Sequence, residues 1–115
     1  MRLSHALVIV SLPALLPLAS CGKPGLSKAA ERGRDVFFNV GPETLRCAYC
    51  HGLRYEGTKG KEGMGDLDER RPTPEKVINA VKNGIGIMPA QADKLTERQI
   101  QDVAAYVSEV AGRSK

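Results

Sequence analysis

The sequence predicts an all-α fold built as one small domain. Two observations point there: three segments carry apolar residues at helical spacing behind a capping residue, and no segment alternates apolar and polar side chains as a half-buried strand would. A length of 115 residues accommodates one domain and leaves no room for a second. With 42% hydrophobic and 26% charged residues the chain is too apolar to be disordered. Seventeen Lys+Arg against 13 Asp+Glu give a net charge of +4 without basic runs or interleaved aromatics, so nucleic-acid binding is not expected.

The first helix is expected from about Ser27 to Phe38, with Ser27 as its cap and Ala30, Gly33, Phe37 and Phe38 along one side. Gly33 costs about 1 kcal/mol relative to Ala inside a helix, which points to a close helix crossing there. The second helix runs from about Pro74 to Lys82. Thr73 caps it, Pro74 takes the first helical position and Gly84 follows its end, while Val77, Ile78 and Val81 form its apolar stripe. The third opens on the capping box Thr96-Glu97-Arg98-Gln99, and Ile100, Val103, Ala104, Val107 and Val110 recur to about Ala111.

The N-terminus reads as an address. Arg2 gives a short basic start, Ala6 to Leu18 is an apolar run too short to be a confident membrane span, and Leu18-Ala19-Ser20-Cys21 closes it. Ordinary signal cleavage before Cys21 would put Leu18 where a small residue is wanted. The closing tetrad instead resembles a bacterial lipobox, which implies a signal peptide over 1–20 and lipidation of Cys21 as the new first residue. Residues 21–26 then form the lipidated Cys and a short tether, spanning about 17 Å from Gly22 to Leu26 at full extension. Multiple acyl chains hold a protein on a bilayer stably, so the folded part, 27–115, would ride close to a membrane surface. The implied location is the bacterial cell envelope, facing the periplasm. Gly22 is not the Asp that retains lipoproteins at the inner membrane in well-known cases, which leaves the outer membrane open as a destination.

With Cys21 assigned to lipid, Cys47 and Cys50 remain, followed directly by His51. Cys47-Ala48-Tyr49-Cys50-His51 has the C-x-x-C-H spacing of covalent haem c attachment. Two thiols on one helical turn can each add to one vinyl group, and the next side chain is an imidazole, the usual proximal ligand of haem iron. A thioredoxin-like site would need a βαβ context, and a structural zinc site would need four ligands where three Cys/His remain. One haem is therefore the expected cofactor.

The sixth ligand follows by elimination. His5 departs with the signal, so a bis-histidine haem within one chain is ruled out. Met1 leaves too, and Met64 and Met88 are the remaining thioethers. Met64 lies between glycines in a stretch poorly suited to holding a ligand, whereas Met88 is followed by Pro89, which fixes the backbone. His51 and Met88 are thus the expected metal ligands, with Cys47 and Cys50 completing the cofactor site. The glycine-rich stretch between His51 and Arg71 lacks a phosphate-binding pattern and is read as a solvated loop covering one haem edge. Two Phe, three Tyr and no Trp make a thin core, so the haem-free chain is expected to fold poorly.

From about residue 28 to 111 the chain resembles the class I c-type cytochromes, small all-α monohaem electron carriers with three main helices wrapped round one covalently bound haem. The resemblance rests on Cys47-Ala-Tyr-Cys50-His51 and Met88-Pro89, supported by Asn83-Gly84 and by Thr96 to Tyr106. It implies that Gly33 and Phe37 pack against Val103 and Tyr106. It also shows two departures. No proline stands between His51 and Pro72 to supply the carbonyl that holds the proximal ring in many relatives, and the Trp that bonds a propionate in some is absent. Tyr55, Arg70 and Arg71 are candidates for the propionate task, the arginine pair being equally readable as a solvated turn.

The expected function is one-electron transfer, without a catalytic residue, as a carrier or as the electron-transfer subunit of an oxidoreductase. The alternative is a haem-based sensor or peroxidase-like enzyme with an open sixth site, which the lack of a distal histidine disfavours. Redox protein partners are implied. Lys82, Lys94, Lys59 and Lys61 would steer acidic ones, or simply form a solvated face.

Overall fold

The computed structural model describes residues 25–114. Among these residues five helices form: α1 Lys28–Asn39, α2 Cys47–Cys50, α3 Leu67–Arg70, α4 Pro74–Asn83 and α5 Glu97–Val110, with single 3₁₀ turns at Glu43–Leu45 and Arg54–Glu56. Among the described residues there is no strand, only one isolated bridge between Ile85 and Met88. None of these helices is long and apolar enough to cross a membrane.

The three long helices start where their caps require. Ser27 Oγ accepts from Ala30 N–H on α1, Thr73 Oγ1 accepts from Lys76 N–H on α4, and the Thr96/Gln99 capping box opens α5 with both reciprocal bonds made. Ser27 is also tied to the far end of α5, since its N–H and Oγ–H both donate to Glu109. The two short helices escaped the periodicity reading because one turn holds too few apolar residues to define a face.

The frame is the crossing of α1 and α5. Gly33 is buried, and a Cβ there would collide with the backbone carbonyl of Asp102 and stand 2.8 Å from Tyr106 Cβ. The missing side chain is what lets the helices touch. Beside the contact Phe37 packs edge-on against Tyr106, ring centroids 5.6 Å apart. Val103, Val107 and Val110 of α5, Val36 of α1, and Val77 and Val81 of α4 complete the buried cluster, together with Leu53.

Polar side chains clamp the same frame. Arg32 makes a two-pronged pair with Asp102 at 2.8 and 2.7 Å across the crossing. That bond, opposed by desolvation, holds the Asp102 carboxyl below the usual aspartate range. Glu56 takes both prongs of Arg34 and the hydroxyl of buried Tyr106 at 2.6 Å, linking α1, the 54–56 turn and α5.

Candidate haem site

The attachment motif is organised by α2. Cys47 and Cys50 are the first and last residues of its single turn, closed by His51 N–H donating to Cys47 O at 2.9 Å. Both are free thiols. Burial pushes the Cys47 thiol up to about 11. His51 ends the turn in extended backbone, φ −105° and ψ 130°. Its Nδ1 is buried and makes no hydrogen bond. Burial lowers the His51 pKa, the backbone of Gly65 opposes that shift, and the Arg70 charge adds to it.

The glycine-rich segment packs onto the attachment turn. Lys61 N–H donates to Cys50 O at 2.9 Å, which brings residues 59–61 onto the attachment turn. Gly52 and Gly60 make the approach possible: a Cβ on Gly60 would stand 2.8 Å from Cys50 O, and one on Gly52 would collide with Gly60 N. Lys61 Nζ lies 3.3 Å above the centre of the Tyr49 ring, a cation on the exposed face of the motif. The glycine spacing was visible in the sequence, but its purpose depends on contacts between backbones and leaves no residue-type signature. A cleft of about 600 Å³ runs along this loop past Arg54, Lys59 and Asp66. It is lined by none of Cys47, Cys50, His51 or Met88.

Met88 sits in a tight reversal. Ile85 N–H donates to Met88 O and Met88 N–H to Ile85 O, while Gln91 N–H reaches back to Val81 O at 2.7 Å. Gly84 has φ +73°, and a Cβ there would stand 2.6 Å from Met88 O. The reversal is thereby fixed to the end of α4. Met88 and Cys47 are both half-buried and pack against the same hydrophobic cluster. Met64 is held by one backbone bond to Lys61 O at 3.2 Å between two glycines of positive φ. Ile85 and Ile87, on either side of Gly86, are 63% and 78% exposed.

The free thiols and the half-buried imidazole with an unpaired ring nitrogen make a donor set that suits haem c. Comparison with known proteins agrees. The family model described as cytochrome c oxidase, cbb3-type, subunit III matches residues 28–107. The chain belongs to the class I c-type cytochromes. Cytochrome c6 from Parathermosynechococcus lividus is 49% identical over 72 residues, 58% of this chain and 80% of that protein. Cytochrome c6 from Bryopsis maxima is 34% identical over 85 residues, 67% and 86% of the two chains. The crystal structure of the c-type cytochrome SorU from Sinorhizobium meliloti superposes with a TM-score of 0.66 at 43% identity, covering 76% of this chain and 95% of that one. This cytochrome is an electron carrier with covalent haem c, and Cys47, Cys50 and His51 fit that cofactor.

The four lysines named for steering differ in their pairing. Lys82 pairs with Glu97 and Lys94 with Asp93, which leaves Lys59 and Lys61 without a carboxylate partner among the described residues. Arg71 lies with its side chain against Gly112 and its Nε–H donating to Asp68 O, whereas Arg70 lies near Gly65. Cys21 and the signal and lipobox segment lie outside the described residues.

Proposed function

We propose that this cytochrome works as a membrane-tethered, periplasm-facing one-electron carrier whose axial ligands are His51 and Met88. The observation that carries it is the pairing of an attachment turn ending in a half-buried imidazole, whose buried Nδ1 has no partner, with a methionine fixed by reciprocal backbone bonds. When bound, haem c supplies a ferric/ferrous couple, and a Met/His set raises its potential. Cys47 and Cys50 hold the group by thioether bonds. His51 and Met88 are each anchored through backbone hydrogen bonds, so neither has to move far between redox states. The apolar cluster behind Cys47 and Met88 excludes water from that side.

The lipobox-like Leu18-Ala19-Ser20-Cys21 supports removal of residues 1–20 and anchoring through lipidated Cys21, with residues 27–115 as the carrier domain. Exposed Ile85 and Ile87 beside Met88 support a partner that docks through an apolar contact, with the paired Lys82 and Lys94 adding little steering. The oxidase-subunit description of the matching family supports a role inside a complex, and the cytochrome c6 relatives a free carrier.

The test is expression with haem maturation. Mass spectrometry should show one haem per chain, lost in the double variant Cys47→Ala/Cys50→Ala, and Cys21→Ser should move the protein from the membrane to the soluble fraction. Membrane retention of Cys21→Ser would end the tether reading. A stoichiometric catalytic partner in a membrane pull-down would decide for the subunit.

A further inference from the structure

The Met88 reversal and the point where the chain enters the domain lie at opposite ends of α5. At its start, Lys82 near the end of α4 bonds to Glu97 at 2.9 Å, so the reversal that follows α4 stands beside the first turn of α5. At its far end, Ser27 N–H and Oγ–H donate to Glu109, and Leu26 is half-buried against the core. With 14 residues, α5 separates the two ends by about 21 Å. The entry end is basic. Lys28 is exposed, and its pair with exposed Glu31 is a weak surface contact that leaves the ammonium accessible to other anions. Arg113, just beyond α5, is exposed and makes no ion pair among the described residues. Arg71 joins them: Asp68 accepts from Gly112 N–H at 2.8 Å, and the exposed Arg71 side chain lies against Gly112. Two carboxylates at this end are already engaged, Glu109 by Ser27 and Asp68 by the N–H groups of Gly112 and Arg54.

We propose that this end, with Lys28, Arg71 and Arg113, rests on the anionic phospholipid headgroups of the bilayer that holds Cys21, so that the Met88 reversal points away from the membrane. The inference rests on the reading of Cys21 as lipidated. Reach is the first argument. Leu26 is fixed to the core, and no more than about 17 Å of extended chain separates it from Cys21, with Lys23 on the way. Charge is the second. That reach exceeds the screening length of about 8 Å at physiological ionic strength, so the tether alone lets the domain stand off, and the cations draw it down once they come within range. Seating this end on the surface leaves exposed Ile85 and Ile87 on the side open to a protein partner.

The experiment places the acylated, haem-loaded protein on phosphatidylcholine vesicles with or without phosphatidylglycerol. Haem and lipid occupy Cys47, Cys50 and Cys21, so Ser114→Cys or Ala92→Cys supplies a single reactive thiol, one at each end of α5, for an uncharged polymer-linked maleimide. On anionic vesicles the thiol at 114 should react about fivefold more slowly than on neutral ones, the factor that a single cation is worth at such a surface, while the thiol at 92 should react alike on both. High salt, or the double change Lys28→Glu/Arg113→Glu, should restore fast reaction at 114. If that double variant loses its haem spectrum, the salt comparison on the unreversed protein carries the same test. Equal rates at 114 on the two vesicles, slowing at 92 as large as at 114, or slowing that survives high salt would each overturn the proposal. A mass spectrum without acyl chains on Cys21 would instead remove the tether reading, and this proposal with it.

Discussion

Gly33 of α1 meets Tyr106 of α5 so closely that a Cβ on the glycine would stand 2.8 Å from the tyrosine Cβ. This contact sets the distance between the two longest helices. The Asp102 carbonyl is in the way as well, and backbone cannot rotate aside as a side chain can. Gly33→Ala should therefore destabilise the protein near the upper end of the about 1–3 kcal/mol typical of overpacking. Denaturant unfolding of the haem-loaded protein measures it. A loss below 0.5 kcal/mol, on the order of a neutral surface change, would mean the crossing is not tight.

Tyr106 also links the frame to pH. Burial first, and then its bond to Glu56, push the phenol well above the ordinary tyrosine range. The folded state holds that proton while the unfolded state releases it near pH 10, so stability is fully present below about 10 and falls as pH rises beyond it. Alkaline unfolding followed by circular dichroism should begin there, and Tyr106→Phe should remove part of the slope while costing about 1 kcal/mol at neutral pH. An alkaline profile identical in wild type and variant would contradict this.

Much of this frame was legible in the sequence. Ser27, Thr73 and Thr96 marked the starts of the long helices because capping is local chemistry, and Gly33 signalled a crossing because a glycine inside a helix needs a reason. The attachment motif was legible because its spacing reflects one helical turn. The rest depended on long-range contacts. Nothing local distinguishes Lys82, paired with Glu97 on the next long helix, from a free surface lysine. The packing of residues 59–61 on Cys50 O, and the different directions taken by adjacent Arg70 and Arg71, likewise appear only once the chain has folded.

Gly60 tests that hidden packing. With Cys50 O 2.8 Å from where its Cβ would stand, Gly60→Ala must displace the loop or the attachment turn. The yield of haem-loaded protein should fall several-fold, while Gly57→Ala, with open space round its Cβ and a φ of +69°, should cost only about 1 kcal/mol of backbone strain. Comparable haem yields in Gly60→Ala and wild type would count against the packing.

The exposed isoleucines make a kinetic prediction. If partners dock through Ile85 and Ile87, Ile87→Asp should slow electron transfer to a native acceptor at least tenfold, whereas changing ionic strength should alter the wild-type rate by less than about threefold. Stopped-flow mixing distinguishes the two. A steep salt dependence with an indifferent Ile87→Asp would place docking on Lys59 and Lys61 instead.

Met88 carries the axial assignment. Met88→Ala should open the iron to carbon monoxide and lower the reduction potential, while Met64→Ala should change neither, because Met64 has only a single backbone tie at a glycine-flanked turn. Optical titration checks both, and carbon monoxide binding in Met64→Ala alone would exchange their roles.

The most direct measurement is the visible spectrum of the haem-loaded wild type, oxidised, reduced, and reduced under carbon monoxide. Filled His51 and Met88 positions predict a sharp low-spin c-type spectrum that carbon monoxide leaves unchanged. A high-spin spectrum that shifts with carbon monoxide would contradict the electron-carrier account and give the open-site sensor or enzyme in its place.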